Sequence, residues 1–433
     1  MTWLPLPRLL SDGRPDDQVV ALRHGKAQSF GRFRAEVAGA AAQMAGCRRA
    51  ALVCRDSYAF AVGFFGLLHA GAEIVLPPNG QPGTLASLSG QFDRLLGDEL
   101  LEAPTADAAF PCLDAERLRI DFFTSGSTGA PKRVTRSLGM LDREVATYDA
   151  LWAAGPVVAT VTHQHVYGLT FRLLWPLAAG QPFAAETHEV WETLLAALPA
   201  AAVVVSSPAH LGRLAGLRPL RPEGRPSLIF SAGAPLAAAA ATEAATILGC
   251  LPTEIFGSTE TGAFATRRQH LGDEPWRLLP GNHMRIDADG RLAQRSPYVE
   301  DWLHSGDLVE PVADGFRFRG RADRVAKIEG KRISLAEIEA ALLRLPWVDA
   351  AAAVLLPGQP PRLVAAVVPS PQGRERLAAL GGFRFGRLLR GGLADTQEPA
   401  GMPRRWRFVE ALPQQPMGKR RDADVMALFA GTP

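Results

Sequence analysis

Nine consecutive residues, Thr124-Ser-Gly-Ser-Thr-Gly-Ala-Pro-Lys132, carry the densest chemistry in the chain: hydroxyls at Thr124, Ser125, Ser127 and Thr128, glycines at Gly126 and Gly129, and the ammonium of Lys132. Such a loop suits a polyphosphate. Glycine lets backbone amides turn toward an anion, hydroxyls donate to phosphate oxygens, and lysine adds a mobile positive charge. It is not a Walker loop, which needs Gly-Lys-Ser/Thr in succession, because Ala130 and Pro131 separate Gly129 from Lys132. The composition alone also suits a mobile surface loop. His163 and His165, at i and i+2, could act as metal ligands from a strand, but no third ligand cluster accompanies them. The four cysteines, Cys47, Cys54, Cys112 and Cys250, are scattered without a C-x-x-C pair, which argues against a zinc knuckle and a disulfide framework; they read as reduced and mostly buried.

Stepping outward along the chain, the loop follows a strand-like run, Leu118 to Phe123. Similar short apolar runs, Ala51–Cys54, Glu73–Leu76, Val157–Val161, Ala202–Val205 and Leu228–Phe230, are bounded by turn residues, as buried strands are. Alanine-rich helical segments, such as Ala35 to Ala45 and Val190 to Leu198, lie between several of them. The alternation predicts an α/β fold with layered, mainly parallel sheets. A polar, glycine-containing turn near Arg317 to Asp323 marks a boundary, giving a large N-terminal domain over 1–321 and a small α+β lid over 322–433 with its own strands, Ala350 to Leu355 and Leu363 to Val368.

A chain of 433 residues with 47% apolar and 21% charged residues has ample material for two cores and lies far from the composition of disorder. The first residues lack a signal peptide's basic and apolar regions, and no apolar run approaches the ~20 residues that span a bilayer. A cytoplasmic location is expected, with no membrane span and no nucleic-acid partner. The net charge of +3 is unevenly spread: from Gly320 onward there are 18 Lys/Arg against 11 Asp/Glu. A basic face attracts nucleic acid, membrane or an acidic protein, or is simply a solvated surface.

The nine-residue loop resembles the phosphate-loop signature of the adenylate-forming superfamily of acyl-CoA synthetases, adenylation domains and luciferases. Further signatures follow in family order. Ser231-Ala-Gly-Ala-Pro235 resembles the adenine-stacking segment, Ile255-Phe-Gly-Ser-Thr-Glu260 the aromatic-Gly-x-Thr-Glu motif, and His304-Ser-Gly-Asp307 the ribose-binding segment. Gly320 to Gly330 resembles the hinge, Pro416-Met-Gly-Lys419 the C-terminal lysine motif, and Leu68-His-Ala-Gly-Ala72 an upstream Ala-Gly-Ala motif. The loop begins earlier than in most relatives, so the first subdomain is shortened, and Phe256 stands where tyrosine is common. Its ring face can still stack on adenine.

The resemblance implies ATP-dependent conversion of a carboxylic acid to its acyl-adenylate. Gly233, Ala234, Pro235, Phe256, Gly257 and Ser258 would hold the nucleotide beside the loop, Thr259 would contact the α-phosphate, and Glu260 would help hold Mg²⁺. Asp307 would grip the ribose hydroxyls, helped by Arg321. Lys419 would bridge carboxylate and α-phosphate during adenylation. Rotation about Asp323 would then present Lys327 and the Gly330 loop for transfer to a thiol. Thr162 to Gly168 resembles the family's His-x-x-Gly stretch, making His165 either a gate or wall of the acyl pocket or a structural histidine. The segments 163–180, 206–211 and 403–413 most resemble a compact branch found with aryl polyene and xanthomonadin-type pigment pathways. That branch implies a hydroxybenzoate-type acid and the phosphopantetheine of an acidic acyl carrier protein, which Arg384, Arg387, Arg390, Arg404 and Arg405 would complement. The alternatives are an aryl- or medium-chain acyl-CoA ligase and a degenerate nucleotide-binding module that has lost its chemistry.

Overall fold

The computed structural model describes residues 2–102, 104–125, 131–328, 331–358, 361–394, 401–413 and 422–430, with the backbone alone at 124, 125, 323, 325–328 and a few other positions. The chain forms two compact units. The larger comprises Met1–Met284 with Gln294–Leu303, and the smaller comprises Arg285–Ala293 with His304–Pro433. Asp307 and Arg321, grouped by sequence with the larger domain, thus fall in the smaller unit.

Among its described residues the larger unit has strands of two sheets. One has five strands in the order Arg94–Leu96, Arg49–Leu52, Glu73–Leu76, Arg119–Ser125, Pro131–Ser137. The first four are parallel, and the last folds back on Arg119–Ser125 as an antiparallel hairpin with Thr124 opposite Lys132. The glycine-rich segment therefore joins two paired strands. The second sheet has a parallel core ordered Thr253–Ser258, Leu228–Ala232, Val203–Ser206, Val157–Ala159, Phe183–Ala184, Val19–Arg23, with Gly262–Arg267 antiparallel beside Thr253–Ser258. Val203–Ser206 is buried at every position because the sheet is covered on both faces, which is why these strands read as continuous apolar runs.

The helix Ser57–His69 buries every residue from Ser57 to Leu68, so its sequence, SYAFAVGFFGLLH, is apolar all round rather than striped. Asp56 caps it, accepting from the amides of Tyr58 at 2.8 Å and Ala59 at 3.0 Å.

In the smaller unit, Val348–Leu356 pairs antiparallel with Arg362–Pro369, and Arg405–Phe408 adds in parallel. Alternation sorts the faces: Ala351, Ala353, Ala365 and Val367 pack with helices Leu335–Leu343 and Pro371–Leu393. Ala352, Val354, Val364 and Ala366 meet Val425 and Phe429 near the C-terminus. No helix among the described residues is long and apolar enough to cross a membrane.

Candidate functional site: a nucleotide crevice

Phe256, Gly257 and Ser258 leave the carboxyl end of a parallel strand, next to the strand end from which Gly233, Ala234 and Pro235 leave, with Ala232 and Ile255 in register. Ligands of open α/β sheets bind at such strand ends. The following turn is tight: a Cβ on Gly257 would lie 2.2 Å from the Gly262 carbonyl oxygen, and Gly262 takes φ +68°. Ser258 and Thr261 brace it reciprocally, since the Thr261 amide donates to Ser258 Oγ at 3.1 Å and the Ser258 amide donates to Thr261 Oγ1 at 3.2 Å. This bracing leaves Thr259 and Glu260 at the tip, both half-buried.

Glu260 meets the phosphate-loop hairpin there. Lys132 Nζ lies 2.6 Å from Glu260 Oε1 across 128 residues of sequence, so the two motifs share one place. Burial acts to raise the Glu260 carboxyl. The hydrogen bond from Lys132, its own amide, the lysine charge and Ser258 outweigh that and hold it below its ordinary value of 4.5.

A buried network underlies this contact. Arg136, four residues further along the Lys132 strand, forms an ion pair with Glu144 at 2.6 Å, and both side chains are almost wholly excluded from solvent. Glu144 Oε1 also accepts from the Ala263 amide at 2.8 Å and from the Tyr148 hydroxyl. Burial, and then the charge of Glu144, push the Tyr148 phenol well above its usual range, so it stays a donor. A Cβ on Gly262 would come within 2.7 Å of the Glu144 carboxylate. One carboxylate thus ties the loop strand to the base of the Thr259-Glu260 turn.

The wall around Phe256 has its own anchor. Phe256 meets Trp276 edge-on at 5.4 Å, and the Arg267 guanidinium sits 4.5 Å from the Trp276 ring centroid. Arg267 donates two bonds to buried Glu254, at 2.8 and 3.1 Å. Glu254 accepts in addition from Gln269 at 2.5 Å and from the Leu236 amide at 3.1 Å, one residue past Pro235. Both walls of the crevice are pinned to the same carboxylate.

The two histidines part company. The Cys54 carbonyl accepts from His163 Nε2 at 3.0 Å, which leaves Nδ1 to accept from the Ser57 hydroxyl at 2.8 Å. Both nitrogens are committed, and burial followed by the Arg172 charge pushes this imidazole well below its usual range. His163 is structural and is removed from any metal-ligand pair. His165 is half-buried, and its carbonyl accepts from the Leu169 amide at 2.8 Å, opening a short helical turn. Gly168 is required by close approach, since a Cβ there would lie 1.9 Å from the Thr162 carbonyl oxygen. A π-helical stretch, Leu169–Leu174, follows and sets Phe171 4.8 Å from Phe230, itself 4.9 Å from Trp152. Tyr167 donates to the Ser206 carbonyl at 3.0 Å.

In the smaller unit, Arg321 Nη1 lies 3.3 Å from Asp307 Oδ1, the two residues facing each other across an antiparallel pair. Asp323 lies in the turn Ala322–Arg324, and Lys327 stands opposite Arg332 in the hairpin of Val325–Ile328 and Lys331–Ser334. Their neighbour Arg324 bonds Glu339 at 2.6 Å and Asp422 at 2.5 Å. Gly126, Ser127, Thr128, Gly129, Gly330 and Lys419 lie outside the described residues.

Sequence reading missed Arg136, Glu144, Glu254, Arg267 and Trp276. Each looks like an ordinary residue of its strand or helix, and only distant partners give it a role.

A family model for AMP-binding enzymes matches residues 79–295. The sulfoacetate–CoA ligase of Cupriavidus necator is 30% identical over 369 residues, covering 73% of this chain and 68% of that protein. The 4-coumarate–CoA ligase of Rhodobacter capsulatus is 29% identical over 355 residues, covering 78% and 82%. The phenyloxazoline synthase MbtB of Mycobacterium tuberculosis is 40% identical over 146 residues, which are 34% of this chain but only 9% of that protein's length. Among solved structures, an anthranilate CoA ligase, AuaEII, in complex with anthranoyl-AMP superposes with a TM-score of 0.81 at 16% identity, over 98% of this chain and 97% of that one. ATP-bound MatB from Rhodopseudomonas palustris gives 0.81 at 18% identity, over 99% of each chain. With half its length matching the family model and its fold matching throughout, this chain belongs to the AMP-binding enzyme family.

Proposed function

We propose that the protein is an acid–thiol ligase that activates a carboxylic acid with ATP and passes the acyl group to a thiol. The observation that carries this reading is the Lys132–Glu260 contact, which joins the phosphate-loop hairpin to the Thr259-Glu260 turn. In the first step an acid oxygen attacks the α-phosphorus, the bond to pyrophosphate breaks, and acyl-AMP forms. Negative charge then gathers on the phosphate oxygens, where the hydroxyls of Thr124, Ser125, Ser127 and Thr128, the ammonium of Lys132 and Thr259 stabilise it. Lys419 bridges the incoming carboxylate and the α-phosphate. In the second step, after rotation about Asp323, a thiol attacks the acyl carbon beside Lys327 and AMP leaves.

Glu260 fits a site for Mg²⁺: its carboxylate is ionised, half-exposed and at the tip of the turn, and hard cations take oxygen ligands. Nucleotide oxygens and water would complete the shell. When bound, the ion supplies positive charge opposite the departing pyrophosphate.

The acid is read as a hydroxybenzoate-type aryl acid. Partly exposed Trp152 and Tyr167, backed by the buried rings of Phe171 and Phe230, support that reading, as does the AuaEII likeness, a ligase for an aryl acid. The acceptor is read as the phosphopantetheine of an acyl carrier protein, with CoA as the alternative. The MbtB match and the basic smaller unit favour the carrier; the CoA ligases among the relatives favour the alternative.

Isotopic ATP–pyrophosphate exchange with a panel of carboxylic acids tests the first step. Exchange with benzoates is the expected result, and no exchange with any acid would overturn the proposal. Supplying CoA or a purified holo carrier protein then decides the acceptor.

A further inference from the structure

The helix Pro371–Leu393 carries five arginines and one glutamate, and its chain direction breaks at Gly381, where φ is +72°. Beyond that break the helix has two faces of opposite character. Phe385, Leu389 and Leu393 are fully buried in the core of the smaller unit. A Cβ on Gly386 would come within 2.6 Å of Trp406, so the helix sits tightly on the sheet, and the ring of Phe385 lies 5.1 Å from that of Phe408.

Phe383 points the other way. It is 81% exposed, the one aromatic among the strongly exposed large apolar side chains of the described residues. The spacing i, i+4, i+7 puts Arg387 and Arg390 on the same stripe, with Arg384 beside it, and all three are exposed. Among the described residues none of these three arginines forms an ion pair, and the helix's single carboxylate, Glu375, lies before the break. A solvated charged face has no use for an exposed phenylalanine at its end, whereas an anchor ring followed along one stripe by guanidinium groups is the composition of a binding surface for an acidic protein. A second copy of the same face would set arginines against arginines, so the charge disfavours self-association.

We propose that the Phe383–Arg387–Arg390 stripe is the docking surface for an acidic protein that brings the acceptor thiol to this enzyme. The proposal rests on the acid–thiol ligase reading above and assigns the place where the partner is held. The ring would enter an apolar gap on the partner's surface, and the guanidinium groups would meet its carboxylates. Both groups act on association and leave the adenylation chemistry alone.

Phe383→Ser and the double variant Arg387→Glu/Arg390→Glu test this with full-length enzyme, using an acidic holo acyl carrier protein and, separately, CoA as acceptors. The expected result is pyrophosphate exchange and CoA acylation within about twofold of wild type, with kcat/KM for the carrier protein reduced about tenfold or more in each variant. Added salt should slow carrier acylation in the wild type and do so less in the double variant. Unchanged carrier acylation in both variants would overturn the proposal, as would equal losses with carrier and CoA. A wild-type dimer that Phe383→Ser dissociates, or an oligonucleotide that binds and is released by the double variant, would assign the stripe to another partner and overturn it too. Absence of exchange in the wild type with every acid would instead sink the ligase reading itself.

Discussion

Two ion pairs stand four residues apart on one strand and do opposite work. Lys132 and Glu260 meet in partly exposed surroundings, with 61% of the lysine side chain and 29% of the glutamate side chain accessible, whereas Arg136 and Glu144 are 1% and 2% accessible. An exposed pair is weak and easily exchanged, because water and salt compete for both partners. A buried pair cannot lose one partner without stranding the other in low dielectric. On the proposed function, the exposed pair would hand its lysine to a phosphate and its carboxylate to a cation. The buried pair, through the Ala263 amide and the Tyr148 hydroxyl, fixes where the two hairpins meet.

The sharpest way to break this contrast is to remove each carboxylate. Glu144→Ala should cost about 3–5 kcal/mol in denaturant unfolding, since buried Arg136 loses its carboxylate partner. Replacing both groups, as Arg136→Met with Glu144→Leu, should recover much of that loss; a double variant no more stable than the single one would show that the pair is not what holds the hairpins. Lys132→Ala should leave stability within about 1 kcal/mol and lower exchange roughly 100-fold. A large drop in melting temperature for that variant would erase the distinction between the two pairs.

Glu254→Gln probes the carboxylate to which both walls of the crevice are pinned. Its charge organises Arg267, Gln269 and the Leu236 amide, so the KM for ATP should rise about tenfold, equivalent to roughly 1.4 kcal/mol, with a smaller change in kcat. Equal effects on both constants would point to a general loss of fold. The smallest effect concerns pH. Glu260 is depressed below 4.5, so the stability it contributes is present above that pH and is lost as pH falls through the lowered value. Glu260→Gln should flatten the acid limb of the stability curve by about 1 kcal/mol at most. An unchanged limb would mean that Lys132 does not hold the carboxylate ionised in solution.

Much of the fold was legible because buried parallel strands need apolar runs and their connections need helices, so the runs at Glu73–Leu76 and Leu228–Ala232 announce themselves. The order of the motifs was legible for a similar reason: phosphate and adenine each restrict which residues can approach them. His163 and His165 were not distinguishable, because the same side chain two positions apart becomes a sheet-to-helix tie or a pocket-wall candidate according to whether Cys54 and Ser57 reach it. Glu144 was invisible as a hub because its partner amide at Ala263 is 119 residues away.

By itself, then, the chain's sequence determined which chemical groups are available and in what order, since a run of hydroxyls, glycines and a lysine follows from local backbone and charge requirements. Only the tertiary structure decided which of the charged groups are permanent fixtures and which remain free to exchange. That division depends on burial, and burial is set by strands and helices that meet across more than a hundred residues.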